Sequence, residues 1–206
     1  DSTFITTEQQ IRATYQIDPR STVYAGYKGY ESSNLLDEAI AGIPIEDFRS
    51  QFFIVGGSYI KSQNRKLFPV KTGVFLDAGI GSRKKDGMSE SQLGVETVLN
   101  NIFNLNYRNS IFIQNQTSAL FSENYLVNEL FRFGGINSIR GFNENSIDAS
   151  FFSIINTEYR YQFNDGIYIH SIIDLGYFEN ETIFIKQNLY SFGFGLGLNT
   201  KAGLFK

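Results

Sequence analysis

Long stretches of this sequence alternate apolar and polar residues with a period of two, and no helical period replaces it anywhere. Between Ser150 and Phe163 one parity reads Phe151, Ser153, Ile155, Thr157, Tyr159, Tyr161 and Phe163. The other reads Phe152, Ile154, Asn156, Glu158, Arg160 and Gln162. Side chains of a strand point alternately to opposite faces, so only an extended chain sorts the two sets this way. The stretch from Ile167 to Phe178 repeats the pattern, setting Ile167, Ile169, Ile173, Leu175 and Tyr177 against Tyr168, His170, Asp174 and Gly176. Asn109 to Phe121 does the same, with Ile111, Ile113, Ala119 and Phe121 opposed to Gln114, Gln116 and Ser118. Carried in both directions, the pattern predicts nine strands, at 3–17, 22–31, 48–61, 71–82, 90–103, 108–121, 149–163, 167–178 and 188–199, with a tenth beginning at Leu204. The fold class it predicts is all-β and antiparallel.

Most of these strands run to about 10–14 residues, longer than strands of soluble sheets and in the range that a tilted strand needs to cross a bilayer. Aromatic residues make up 16% of the chain, and they gather at the ends of the apolar rows as interfacial girdles do. Glu8, Arg12, Lys28, Arg49, Glu96, Glu158, Arg160 and Asp174 all read as lying on the polar face of their strands, which is otherwise mixed with Gly, Tyr and Gln. A solvent-facing surface would be more uniformly charged, so the reading is an apolar face toward lipid and a polar lumen. The chain has no Cys, which excludes a disulfide scaffold and a thiol-ligated metal. With 18 basic against 21 acidic residues and no basic run beyond Arg83-Lys84-Lys85, there is no electrostatic footprint for nucleic acid. No apolar run is long enough for a transmembrane helix.

The connections alternate in length. Segments 18–21, 62–70, 104–107, 164–166 and 200–203 are mostly short, and 32–47, 83–89, 122–148 and 179–187 mostly longer. Outer-membrane barrels keep short turns in the periplasm and long loops outside. The segment Tyr125–Phe133 could pass for a strand, but inserting it would reverse every later connection, so 122–148 is read as one long extracellular loop.

That loop carries Phe131-Arg132-Phe133-Gly134-Gly135-Ile136-Asn137-Ser138-Ile139-Arg140-Gly141-Phe142. A Gly-Gly pair followed at this spacing by Ser-Ile-Arg-Gly-Phe resembles the hallmark of the outer membrane protein 85 superfamily, which includes BamA-type barrel insertases and TpsB-type two-partner-secretion transporters. Glu158-Tyr159-Arg160 in the next strand, Ile173-Asp174-Leu175-Gly176 in the one after, and Asn64-Arg65-Lys66-Leu67-Phe68-Pro69-Val70-Lys71-Thr72-Gly73 extend the resemblance over about 60–180. The resemblance implies a barrel of sixteen strands in a Gram-negative outer membrane, crossing it many times, with residues 1–206 forming strands six to fourteen and the stub of the fifteenth. It further implies that the hallmark loop folds into the lumen, and that the first five strands, the closing strand and periplasmic POTRA domains lie outside this sequence. The implied partners are outer-membrane lipids and a polypeptide client, either secreted or a nascent barrel protein, together with periplasmic chaperones or lipoprotein accessories acting through POTRA domains. No cofactor and no enzymatic activity are implied.

Within the motif, Gly134, Gly135, Ile139, Arg140, Gly141 and Phe142 are the candidate site residues. An Arg on a loop tip ordinarily belongs to solvent. Here Gly141 permits close backbone approach, Phe142 favours burial, and two carboxylates of matching parity, Glu158 and Asp174, could take a planar guanidinium in bidentate fashion. Gly193, Gly195 and Gly197 form a row without side chains on one face of the following strand, which either makes room for the inserted loop or relieves curvature. The remaining candidates are weaker. The single His170 reads as a lumen hydrogen-bonding residue rather than a catalytic or metal-binding one. Asp77 and Glu96 are scattered, and Asp37, Glu38, Glu46 and Asp47 read as a solvated surface loop. Gly193-Phe194-Gly195-Leu196-Gly197 lies inside a strand with no helix after it and is not a phosphate loop.

Three function classes follow: a protein translocator or insertase, a passive porin, and the membrane anchor of an enzyme such as a patatin-like lipase. The hallmark loop argues against a porin. An enzyme fusion would show a Gly-x-Ser-x-Gly elbow upstream.

Overall fold

The computed structural model describes residues 4–34, 45–200 and 203–205. Twelve strands occur in them: β1 (Phe4–Asp18), β2 (Ser21–Asn34), β3 (Phe48–Ser62), β4 (Val70–Lys85), β5 (Met88–Asn104), β6 (Asn109–Phe121), β7 (Phe131–Phe133), β8 (Ile147–Ala149), β9 (Phe151–Gln162), β10 (Ile167–Asn180), β11 (Ile185–Thr200) and β12 (Gly203–Phe205). Ten of them form one sheet in the order β1-β2-β3-β4-β5-β6-β9-β10-β11-β12, and β7 and β8 pair with each other. Every neighbouring pair is antiparallel. The sheet is open, with β1 and β12 as its edges. No helix among the described residues is long and apolar enough to cross a membrane.

Register carries the alternation of single strands across the whole sheet. Gly56, Asp77, Glu96, Ser118, Phe152 and Phe178 are successive cross-strand partners and so share the inner face. The outer face is apolar and open: Ile11 is 77% exposed, Phe53 74%, Ile80 70%, and Phe192 and Phe194 89% each. So many large apolar side chains on one face is unusual for a water-soluble monomer and is the pattern of a barrel's outward band.

Three expectations are corrected. The connections 83–89 and 179–187 are not long loops. β4 and β5 continue to a two-residue turn at Asp86-Gly87, where φ is 50° and 79°. Asp-Gly tolerates the two positive φ values that a tight hairpin twisted like its strands requires. β10 and β11 likewise continue until 181–184 alone joins them. Arg49 does not share the inner face, since Phe48, Ser50, Phe52 and Ile54 are buried there while Arg49, Gln51, Phe53 and Val55 point outward. Its guanidinium meets Glu31 at 2.8 Å near the end of the strands, clear of the apolar band. The third correction, at the glycine row, belongs to the site. Of the connection 32–47, residues 35–44 lie outside the described residues, as do the candidates Asp37 and Glu38.

The segment 122–148 stays out of the main sheet. It rises through a single helical turn at Val127–Glu129, forms the β7–β8 hairpin, and lays its apolar side chains on the inner face. Phe133, Ile139 and Ala149 pack there with Phe152, Ile154, Phe178 and Leu189 from β9, β10 and β11. Burying side chains such as Ile139 and Ile154, both 0% exposed, contributes about 1.5–3 kcal/mol each, so the loop is held by a core of its own.

Candidate functional site: a loop docked inside the sheet

The tip of the loop is shaped by glycines that other residues could not replace. Gly134 has φ 118° and Gly135 φ 92°, and a Cβ on Gly134 would lie 2.4 Å from the Asn143 carbonyl oxygen. Left-handed backbone and the absence of side-chain space both exclude larger residues here. The turn closes on itself, with the Gly134 N–H donating to Ser138 Oγ at 2.7 Å and the Ser138 N–H to the Gly135 carbonyl at 3.2 Å. Asn156 Nδ2, on the inner face of β9, donates to the Ser138 carbonyl at 2.7 Å. Ile139 then enters the space above Gly176, where a Cβ would sit 3.2 Å from its Cδ1. Phe142 packs at the margin of the same core, while Ile136 stays 66% exposed.

These contacts aim Arg140 at the wall. Its Nε donates to Asp174 Oδ2 at 2.8 Å, its Nη2 to Asp174 Oδ1 at 2.6 Å and its backbone N–H to Oδ2 at 3.1 Å. Nη1 donates to Glu158 Oε1. Ser191 Oγ adds a longer contact to Asp174 at 3.4 Å. The Asp174 side chain is 0% exposed and that of Arg140 16%. A carboxylate so enclosed is costly unless ion-paired and fully hydrogen-bonded, and Asp174 meets both conditions through one residue of the loop. The structure therefore brings Arg140, Asp174 and Glu158 together.

Gly193, Gly195 and Gly197 do face inward, but the loop does not occupy the space they leave. A Cβ on Gly195 would lie 2.1 Å from His170 Nε2 and one on Gly197 1.9 Å from Tyr168 Cε1, whereas nothing lies within 4 Å of the position at Gly193. The His170 and Tyr168 rings of β10 fill the row at Gly195 and Gly197 and leave it open at Gly193. The loop comes near β11 at Ser191, whose Cβ is 3.5 Å from where a Cβ of Gly141 would be. His170 is buried beside Glu158, with its Nδ1 3.4 Å from Oε2.

A second anchor holds the ascending arm of the loop. Arg83, 3% exposed, donates through Nη1 to Glu129 and through Nη2 to Glu90. Gln92 Nε2 reaches the other Glu129 oxygen at 3.0 Å, and Glu90 accepts from Ser122 Oγ at 3.2 Å. Asn128 Nδ2 donates to Ser32 Oγ and to the Glu46 carbonyl, both at 2.8 Å. The signal for this anchor was the Asp86-Gly87 turn, because with β4 extended that far Arg83 takes the inner parity. Between this arm and β1–β5 lies a cavity of about 380 Å³, with Phe4, Phe52, Leu130 and Phe131 among its apolar walls and Lys28, Asp77 and Glu96 among its polar ones.

Among the described residues no group of three or more His, Cys, Asp and Glu side chains is placed to hold a metal ion. Charged and apolar contacts fasten the loop to the inner face of the sheet.

No family model matches the sequence, and no curated protein is similar to it. Among solved structures the chain is similar to CdiB from Acinetobacter baumannii, with a TM-score of 0.58 at 15% identity over 96% of this chain. The likeness shows the fold: an antiparallel sheet of the kind that forms a β-barrel wall. The chain spans 37% of the length of CdiB, so the likeness covers part of a larger structure.

Proposed function

We propose that this chain forms part of the barrel wall, and the plug loop, of an outer-membrane polypeptide transporter of the two-partner-secretion type. The observation that carries the reading is the docking of Arg140 on Asp174 and Glu158, which fastens a 27-residue loop (122–148) across the inner face. A segment latched across the inner face obstructs an open solute channel, whereas in a transporter it keeps the membrane sealed until a client displaces it. The motif resemblance and the fold likeness to CdiB both favour this branch. In this reading the connections 19–20, 63–69, 105–108 and 163–166 face the periplasm, the loop 122–148 faces outward, residues 1–206 are one segment of a larger barrel, and POTRA domains precede it. The client is an extended polypeptide, and the surrounding partner is outer-membrane lipid.

The test is a photo-crosslinking residue at the exposed position Ile136 of the full-length protein in cells. An adduct with a secreted polypeptide is the expected result, and an adduct with a nascent barrel strand would instead make the protein an insertase. Planar-bilayer conductance provides the second arm: the parent protein is expected to be mostly closed and Arg140→Ala open. Equal, large conductance of both would make it a porin.

A further inference from the structure

The inner face that receives Arg140 continues in contact toward the opposite end of the sheet. Glu158 gives Oε1 to Arg140 Nη1, and its other oxygen, Oε2, accepts from Arg160 Nε at 2.7 Å. The Arg160 guanidinium lies between two aromatic rings, 4.5 Å from the centroid of Phe68 and 4.2 Å from that of Phe112. Phe68 belongs to the connection 63–69, not to a strand, and is 6% exposed. Its ring meets Tyr168 edge-on at 4.8 Å, and its carbonyl accepts from Gln63 Nε2 at 2.7 Å. One carboxylate thus touches two guanidinium groups, one brought by the loop from one end of the sheet and one stacked on a turn at the other.

A buried guanidinium clamped between two rings has little freedom in its own plane, and the direction of its N–H groups fixes the carboxylate it serves. Moving Phe68 therefore turns Arg160, and turning Arg160 draws Glu158 away from Arg140. We infer that Phe68 is a positioning residue, through which the 63–69 turn sets how firmly Arg140 holds the loop tip. The inference rests on the plug reading above and adds its control from the far side: load applied to the turn releases the loop. Because coupling between two sites is mutual, withdrawal of the loop must also loosen the turn.

The test uses the full-length protein in lipid vesicles. This chain has no natural Cys, and Ser138, 8% exposed beneath the docked tip, is replaced by Cys as the reporter, with its modification rate by a hydrophilic maleimide as the readout. Phe68→Leu keeps an apolar side chain and removes the ring face. It is expected to raise the rate about three- to thirtyfold, the range set by loss of one desolvated cation–π contact. Arg160→Lys keeps the charge, loses the planar stack and is expected to do the same, carrying the test where Phe68→Leu does not assemble. Asn64→Ala, at an exposed position of the same turn, should leave the rate at the parent value. In reverse, a Leu67→Cys reporter should react faster when Arg140 is replaced by Ala. Parent-like rates in both Phe68→Leu and Arg160→Lys, or an equal rise in Asn64→Ala, would overturn the inference while leaving the plug reading intact. A reporter at 138 that stays protected in Arg140→Ala itself would overturn the plug reading and the inference with it.

Discussion

Asp174 receives Arg140 on both of its oxygens, Nε at 2.8 Å and Nη2 at 2.6 Å, and takes the Arg140 backbone N–H on Oδ2 as well. Side chain and main chain of one loop residue thus satisfy a carboxylate that lies wholly inside the protein. Such a pair makes the loop position all-or-none: a small withdrawal breaks every contact together and leaves a buried charge unpaired. Arg140→Ala and Asp174→Ala should each cost about 3–5 kcal/mol, and the double variant should cost much less than their sum. Urea titrations of the full-length protein in vesicles measure this, and strictly additive losses would count against a coupled pair.

Much of this architecture could be read in the sequence because the period of a strand admits so few alternatives. Parity alone put Glu158 and Asp174 on one face and Ile155 and Tyr159 on the other. What parity could not reach falls into two kinds. At Asp86-Gly87 a turn signal was present but read as part of a longer loop, which shortened β4 and hid the inward position of Arg83. At the glycine row and at Phe68 the deciding contacts are cross-strand or long-range. Nothing local to Gly195 states that the ring of His170 will lie against it, and nothing local to Phe68 states that Arg160 will stack on it.

The proposed assignment of the outer face to lipid and the inner face to a lumen is open to a direct comparison. Ile155 is on the outer face of β9 at 41% exposure, and its replacement by Arg should cost about 2–4 kcal/mol near mid-membrane. The matching substitution on the inner face belongs at Gln114 on β6, which is only half-buried and makes only a long contact to Asn156 Oδ1, at 3.4 Å, and Gln114→Arg should be close to neutral. Asn156 is unsuitable, since its amide supports the Ser138 carbonyl beneath the loop. Equal penalties at 155 and 114 in a folding titration would reverse the assignment of faces.

The glycine row separates space that is used from space that is merely open. A methyl on Gly195 would fall 2.1 Å from His170 Nε2, whereas at Gly193 it would meet nothing within 4 Å. Gly195→Ala should therefore destabilise by about 1–3 kcal/mol through overpacking, and Gly193→Ala should change stability little. Adding His170→Ala to Gly195→Ala should recover part of the loss, since the colliding ring is gone. Identical behaviour of the two glycine variants in thermal unfolding would mean that the row serves only the curvature of the sheet.

The two anchors of the loop grip different parts of it, and this makes them separable. Glu129 fastens the ascending arm to Arg83 and Gln92, far along the chain from the tip that Arg140 holds. Glu129→Ala leaves the Arg83 guanidinium with Glu90 alone and the Gln92 Nε2 with only its longer contact to Ser122, at a cost of about 1–3 kcal/mol. The expected signature is local: limited proteolysis should cut within 122–131 sooner than in the parent, while the buried Cys reporter at position 138 remains protected. The complementary variant Arg140→Ala should expose that reporter and leave 122–131 resistant. If either substitution released both segments together, the loop would move as one rigid piece, and the Arg83–Glu129 contact would belong to the same latch as Arg140 and Asp174.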